Sequence, residues 1–372
     1  MLTQLALTGL LVALLPLSIV WASADANKFR KLAAVTLFLT FDLIVFGAYT
    51  RLTDSGLGCP DWPGCYGQAN PLQAHSDISA AQSAMPTGPV TVFKAWIEMI
   101  HRYLAMSVGV LIVALMIIAW MRWRTSARRD GRFKPWLPTA LFAMVCLQGA
   151  FGAFTVTLKL QPIIVTTHLL LGLSLLAMLA WQHASQRAAV TISADAARLR
   201  GPALLAAVLL VVQLALGGWV STNYAALACT DFPLCQGSLW PQMDFNNGFT
   251  LWRKLGMAAD GSYLPFAALT AIHFVHRSFA FIVAAILLYV GWRAVQIEEL
   301  KPLARGLSIV VGLQLCTGLL TVYLQWPLVL AVMHNAGAAL LVALLTMLNY
   351  RLRAAANVAP VFLRDALSTH RP

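Results

Sequence analysis

Nine apolar stretches, each long enough to cross a lipid bilayer, dominate this 372-residue sequence. A helix needs about 20 predominantly apolar residues to cross the hydrocarbon core of a bilayer. Helices are expected because no water is present there to satisfy the polar backbone groups, and the alternating pattern of a membrane barrel is absent. The sequence therefore predicts an all-α integral membrane protein. The predicted spans are 2–22, 31–51, 94–120, 136–157, 162–182, 203–222, 268–293, 304–324 and 327–350.

Composition supports a membrane protein and argues against nucleic acid as a partner. Hydrophobic residues make up 59% of the chain and charged residues 11%, more apolar surface than a soluble protein of this size can bury. The net charge of +12 could attract nucleic acid, but the basic residues lie in short loops between the apolar stretches. That distribution sets the orientation of a membrane protein. Membrane lipid is thus the expected surrounding, and no nucleic acid is expected.

Basic residues mark the loops that should face the cytoplasm. They are concentrated in 23–30, 121–135, 183–202 and the tail, while 52–93, 158–161, 223–267 and 325–326 are poor in them. Nine spans then place the N-terminus outside and the C-terminus in the cytoplasm. A cleaved signal peptide at 2–22 is the alternative. We disfavour it because the segment lacks a positively charged start and its apolar run is long.

Matching motifs divide most of the chain into two repeats. CPDWPGC at 59–65 matches CTDFPLC at 229–235, and Gly47 and Gly67 match Gly217 and Gly237 at the same offset of 170. HRYLA at 101–105 matches HRSFA at 276–280, and LQGAFGAFTV at 147–156 matches LQLCTGLLTV at 313–322. We predict two parallel four-helix repeats, related by an axis along the membrane normal. The predicted divisions are 1–30 (an extra helix and link), 31–182, 203–350 and a cytoplasmic tail at 351–372.

Four of the eight histidines lie at repeated positions, each about seven residues inside the outer end of a span: His101, His168, His276 and His334. At about 1.5 Å per residue, this is roughly 10 Å below the outer edge of the hydrocarbon, where ionisable groups are costly and usually functional. A zinc site needs three or four ligands, whereas a haem iron needs two axial ligands. Two bis-histidine haem sites fit best, with an interhelical hydrogen bond as the alternative for any single histidine. His75, His183 and His370 are expected to be solvated.

The residues beside these histidines distinguish the two repeats. Glu98 lies three residues before His101, on the same helix face, whereas His273 stands at the matched position of the second repeat. A carboxylate beside one pocket suggests that one pocket does chemistry and the other holds a permanent cofactor. The alternative is that Glu98 faces a wet vestibule. Arg102 and Arg277 either extend to the outer surface or bind haem propionates.

Each outward loop carries two cysteines separated by five residues. An oxidising outer compartment favours the local disulfides Cys59–Cys65 and Cys229–Cys235, either as structural pins or as exchange-active bonds. Cys146 and Cys316 lie within spans, where we expect them to pack as small apolar residues.

Taken together, these motifs resemble the haem A synthase family, over roughly residues 31–350: ExxHR at 98–102, HR at 276–277, the single histidines and the paired outward cysteines. The family oxidises a methyl group of haem O to the formyl group of haem A for terminal oxidase assembly. The resemblance implies that His276 and His334 ligate a resident haem b. It implies further that His101 and His168 hold haem O, the substrate, with Glu98 as catalytic carboxylate. The helix at 2–22 lies outside the resemblance.

We expect a bacterial inner membrane location, because the start of the sequence shows no Arg- and Ser-rich stretch of the kind that directs import into mitochondria. The expected partners are a haem O synthase that delivers substrate and an unidentified electron acceptor. A homo-oligomer is an alternative to a monomer. The rival interpretation is a diheme b-type cytochrome that exchanges electrons with quinone. Glu98 in one repeat only and the outward cysteines argue against it. A transporter with inverted repeats is disfavoured because the repeats are parallel.

Overall fold

The computed structural model describes the backbone of residues 1–125, 134–186 and 194–368, and the side chains of 1–125, 134–186 and 196–353. Within these ranges the protein is helical and contains no β-strand. The helices are α1 (Leu2–Ala22), α2 (Lys28–Leu52), α3 (His75–Ala84), α4 (Val92–Thr125), α5 (Trp136–Thr157), α6 (Pro162–Ser185), α7 (Arg200–Thr222), α8 (Phe245–Gly248), α9 (Phe266–Ala294), α10 (Lys301–Tyr323) and α11 (Leu328–Ser368).

Nine helices in the described part of the chain are long and apolar enough to cross a membrane, which confirms the predicted spans. The two others, α3 and α8, are short and lie in the loops predicted to face outward. Helix α11 continues to Ser368 and so extends through most of the predicted tail. Of the basic residues used to orient the chain, Arg128, Arg129, Arg132, Arg187, Arg364 and Arg371 have side chains outside the described residues, as does His370.

The helices of the two parts of the chain pack in the same order. Helices α2, α4, α5 and α6 correspond to α7, α9, α10 and α11, and each neighbouring pair in one half has its counterpart in the other: α2 packs on α4 and α6 as α7 packs on α9 and α11. Across the halves, α2 contacts α11 and α6 contacts α7. Two parallel copies related by a two-fold axis would give such a reciprocal pattern, and the division at 31–182 and 203–350 stays a prediction.

The tight connections between α5 and α6 and between α10 and α11 share an uncommon backbone. Lys159 and Leu160 in the first connection and Gln325 and Trp326 in the second all have positive φ angles, between 51° and 68°. Non-glycine residues rarely adopt this region, so two successive ones at an offset of 166 indicate the same turn. The turns set the angle at which the histidine-bearing helices α6 and α11 enter the bundle.

Two polar contacts join equivalent positions of the halves. Arg51 donates to the Ser221 carbonyl over 2.7 Å, and the Tyr224 hydroxyl donates to Asp54 over 2.6 Å; both pairs are separated by the repeat offset of 170. Equivalent residues meet only near a two-fold axis. These contacts therefore lie where the outer ends of α2 and α7 approach each other, between the two halves.

Helix α1 packs on the first half. A Cβ atom on Gly9 would lie 2.9 Å from Cβ of Met106 in α4, so the two helices approach closely there. Leu5 is buried in an apolar cluster with the disulfide of Cys59 and Cys65. The extra helix is thus packed against the body of the protein, and its retention in the mature chain stays a prediction.

Candidate functional site

The four repeated histidines form two pairs, one in each half. His101 of α4 lies near His168 of α6, and His276 of α9 lies near His334 of α11. His101 and His276 lie nine and ten residues into their helices, whereas His168 and His334 each lie six residues in. The equal depth predicted from the sequence is thus approximate, because α4 and α9 begin farther from the histidines than α6 and α11 do.

A glycine on the neighbouring helix faces each imidazole. A Cβ atom on Gly47 or Gly217 would lie 3.0 Å from Cε1 of His101 or His276, and one on Gly152 or Gly318 would lie 3.4 Å from Cε1 of His168 or His334. These four contacts come from α2, α7, α5 and α10 in that order. Glycine at these positions leaves room for an imidazole between helices, and the arrangement repeats in both halves.

The Nδ1 atoms of the histidines have different surroundings in the two halves. In the second half, Nδ1 of His334 lies 3.0 Å from the Thr317 hydroxyl, and Nδ1 of His276 lies 3.1 Å from the amide nitrogen of Gln213. In the first half, Nδ1 of His101 and of His168 are buried and have no hydrogen-bond partner among the described residues. The backbone carbonyl of Gln148 contacts His168, as that of Gln314 contacts His334 in the second half.

The histidine pairs suit a metal that is already held by a planar macrocycle. The described side chains include no group of three or more His, Cys, Asp and Glu residues that could hold a bare ion, so a zinc site of the usual kind has no support there. Each pair offers two imidazoles, which is the number a haem iron takes. Each of these four residues is partly exposed although its helix lies within the bundle, and a glycine faces each ring. These residues therefore fit two bis-histidine haem sites.

Glu98 is buried and connects helix α4 to the first disulfide loop. One carboxylate oxygen accepts the backbone N–H of Cys59 over 2.8 Å, and the other accepts from the guanidinium of Arg102. The side chain is 4% exposed, so it does not face a wet vestibule. A carboxylate has lone pairs for further donors, and Glu98 can hold these partners and still accept one from a substrate.

Arg102 and Arg277 bind the disulfide loops from below. Arg102 donates to the carbonyls of Asp61, Pro63 and Gly64, and Arg277 donates to the equivalent carbonyls of the second loop. The second set consists of Asp231 at 2.8 Å, Leu234 at 3.0 Å and Pro233 at 3.5 Å. The sequence did not predict this role, because every residue has a backbone carbonyl and a motif does not indicate which carbonyls accept a hydrogen bond. Contact of either guanidinium with a propionate stays a prediction.

The predicted disulfides are present. The sulfur atoms of Cys59 and Cys65 are 2.06 Å apart, and those of Cys229 and Cys235 are 2.03 Å apart. All four cysteines are buried. Cys146 and Cys316 are free and exposed on the surfaces of α5 and α10. They do lie within spans, but the expected packing of small apolar side chains is not seen, because both positions point away from the bundle.

The repeated aspartate of the two loops caps a turn. Asp61 accepts the backbone N–H groups of Tyr66 and Gly67 at 2.6 and 2.7 Å, and Asp231 accepts those of Gln236 and Gly237 at 2.7 and 2.9 Å. The backbone N–H of Gly237 is the main cause that lowers the pKa of Asp231. Gly67 and Gly237 have φ angles of 69° and 74°, which glycine adopts without strain.

Three further histidines with described side chains belong to neither pair. His273, the counterpart of Glu98, is buried, and its Nδ1 lies 3.0 Å from the Ala225 carbonyl. Position 98 and position 273 thus both bind the outer loop of their half. His75 is exposed as predicted, whereas His183 is half-buried at the end of α6.

Comparison with known proteins shows the family of this chain. A sequence model of the cytochrome oxidase assembly protein family matches residues 30–346, which includes both histidine pairs and excludes α1. The chain is 39% identical over 322 residues to "Heme A synthase" of Shewanella oneidensis, covering 86% of this chain and 95% of that protein. It is 32% identical over 360 residues to the protein of the same name from Sphingopyxis alaskensis, covering 91% and 96%. It is 30% identical over 330 residues to that of Erythrobacter litoralis, covering 82% and 91%. With a family match over most of its length and relatives that it covers almost completely, this multi-pass membrane protein belongs to the cytochrome oxidase assembly protein family.

Proposed function

We propose that the protein is a haem A synthase, which oxidises a methyl group of haem O to the formyl group of haem A. Its curated relatives carry that name. The observation that carries the proposal is the unequal pair of pockets: two histidine pairs at matched positions, with the buried carboxylate of Glu98 beside only one of them. A pure electron carrier needs both pairs but has no use for that carboxylate.

In this proposal the second half holds a resident haem b through His276 and His334, and the first half binds haem O through His101 and His168. The protein lies in the bacterial inner membrane with its N-terminus outside. Haem O comes from a haem O synthase, and electrons leave to an acceptor of a class still to be identified. Helix packing that brings α6 against α7 supports electron exchange between the halves.

Haem iron supplies the redox chemistry when bound, while the protein supplies position and electrostatics. The methyl group must lose electrons and protons and gain oxygen. Glu98 takes a proton at its carboxylate, or stabilises positive charge at the carbon being oxidised. Arg102 and the Cys59 N–H hold that carboxylate in place, so the disulfide loop and the reacting group share one framework.

Replacing Glu98 tests the proposal. Glu98→Gln keeps an oxygen to accept the Cys59 N–H but removes the charge and the titratable proton. We expect the variant to fold and keep its haem b spectrum, whereas cells that carry it as their only copy accumulate haem O or a hydroxylated intermediate and lack haem A. Chromatography of extracted haems measures this.

His273→Gln is the matched control, because it makes a similar change at the equivalent position beside the other pair. It should leave haem A in the cells. Undiminished haem A in the Glu98→Gln strain would remove Glu98 from the mechanism and favour the diheme electron carrier.

A further inference from the structure

Building on the proposed function, we infer that Gln213 and Thr317 are positioning residues that make the second-half pocket retain its haem. They act through His276 and His334. The first half has Leu43 and Phe151 at the equivalent positions, with offsets of 170 and 166. Its imidazoles are therefore free to let a porphyrin enter and leave. Hydrogen bonds to Nδ1 of the ligating histidines thus decide whether a pocket keeps its haem or exchanges it.

Thr317 fixes the proton on His334. Its hydroxyl lies 3.0 Å from Nδ1 of His334 and donates its own proton to the Leu313 carbonyl over 2.8 Å. The oxygen can therefore only accept at the imidazole, which requires the proton on Nδ1. Nε2 then carries the lone pair that a metal needs. A hydrogen bond to the outer nitrogen also fixes the ring orientation and increases its basicity as a ligand.

Gln213 holds His276 at two places. Its side-chain amide lies 3.1 Å from Nδ1 and donates to the backbone carbonyl of the same histidine over 3.2 Å. When Nε2 ligates iron, the amide must turn so that its oxygen accepts the proton on Nδ1, and it then exchanges its bond to the backbone carbonyl for one to the imidazole. Gln213 stands four residues before Gly217 on α7, one turn from the glycine that faces the same ring.

Among the residues that the structure describes, the first half has neither of these contacts to Nδ1. Nδ1 of His101 and of His168 have no hydrogen-bond partner in the described part of the chain, and neither leucine nor phenylalanine can supply one. Gln148 contacts the other ring nitrogen of His168. Its amide nitrogen lies 3.4 Å from Nε2 and donates to the His168 carbonyl over 3.1 Å. That contact competes with a metal for Nε2, which weakens retention further.

Loss of such outer hydrogen bonds commonly lowers metal affinity by about 10- to 100-fold. A pocket that binds haem O and releases haem A needs the weaker ligation. A pocket that keeps haem b through every turnover needs the stronger one. The distribution of Gln213, Thr317 and their apolar counterparts matches these needs.

The test measures haem b loss from the purified holoprotein to excess apomyoglobin, together with the midpoint potential of haem b. Thr317→Val removes the hydroxyl with little change in shape, and Gln213→Leu copies the first half. Each should speed haem loss by about 10- to 100-fold and raise the potential, because the imidazole donates less to ferric iron. Thr317→Ser, which keeps the hydroxyl, should behave as wild type, and so should Phe151→Leu in the other half.

Haem loss at the wild-type rate with an unchanged potential in Thr317→Val and Gln213→Leu would overturn the inference and leave the proposed function intact. Thr317→Ser that behaves like Thr317→Val would also overturn it, since packing rather than the hydroxyl would then matter. Failure of the proposed function has a different result: undiminished haem A in cells whose only copy carries Glu98→Gln.

Discussion

At the scale of single residues, the four glycines opposite the histidines define how much space each ligand has. The gap is tighter at α2 and α7, where an added Cβ would meet the ring at 3.0 Å, than at α5 and α10, where the distance is 3.4 Å. A contact of 3.4 Å is ordinary van der Waals packing. The contact at 3.0 Å requires the imidazole to move by a few tenths of an ångström, and the ring is also the group that must align with iron.

This difference predicts a graded response to one methyl group. Gly217→Ala should displace His276, lower the haem b content and alter the Soret band, whereas Gly318→Ala should leave both unchanged. Alanine is favoured over glycine in helices by about 1 kcal/mol, so neither variant should lose its helix. Absorption spectra of the purified variants measure the outcome. Equal behaviour of the two would show that the glycines do not set the ligand geometry.

At the scale of elements, each outer loop is a small cap tied to the helix that carries a histidine. The disulfide closes the cap, the aspartate holds its turn, and an arginine one residue after the histidine binds its carbonyls. In the first half the same arginine also binds Glu98. Displacement of that loop would therefore move the carboxylate and the ligand helix together.

Removal of a disulfide should therefore affect function more than folding. In the loop-entropy description, a bridge closing so short a loop contributes about 2–3 kcal/mol, which a large helical protein tolerates. The double variant Cys59→Ser with Cys65→Ser should fold and keep haem b but produce less haem A. The matched pair Cys229→Ser with Cys235→Ser should instead weaken haem b retention. Thermal unfolding in detergent and haem extraction measure both effects, and loss of all folded protein would contradict this account.

At the scale of the whole molecule, hydropathy and charge predicted the nine spans, because a bilayer imposes length and apolarity on every crossing helix. Repeated motifs predicted which histidines pair, since Cys, Asp, Pro, His and Arg recur in order. The partners of Arg102, Arg277 and Glu98 could not be predicted, because they are backbone groups of a distant loop. The part played by Thr317 was also missed; its only sequence signal is a hydroxyl beside the repeated glycine, where the first half has Phe151.

The orientation of the molecule in the membrane is a prediction with a direct test. The loops rich in Lys and Arg should lie in the cytoplasm and the disulfide loops outside. A reporter fused after Arg129 should therefore read cytoplasmic, and one fused near Asn70 should read periplasmic. The reverse result would place the histidine pairs near the cytoplasmic surface and the disulfides in a reducing compartment.

The central claim is that the two pockets hold different haems, and extraction of the pigments from the purified wild-type protein tests it most directly. Acid acetone releases non-covalent haems, and chromatography separates haem B, haem O and haem A. The wild-type protein should release haem B together with haem O or haem A, whereas His334→Ala should lose haem B and keep the other haem. Haem B as the sole pigment in both pockets would contradict the account and identify an electron carrier.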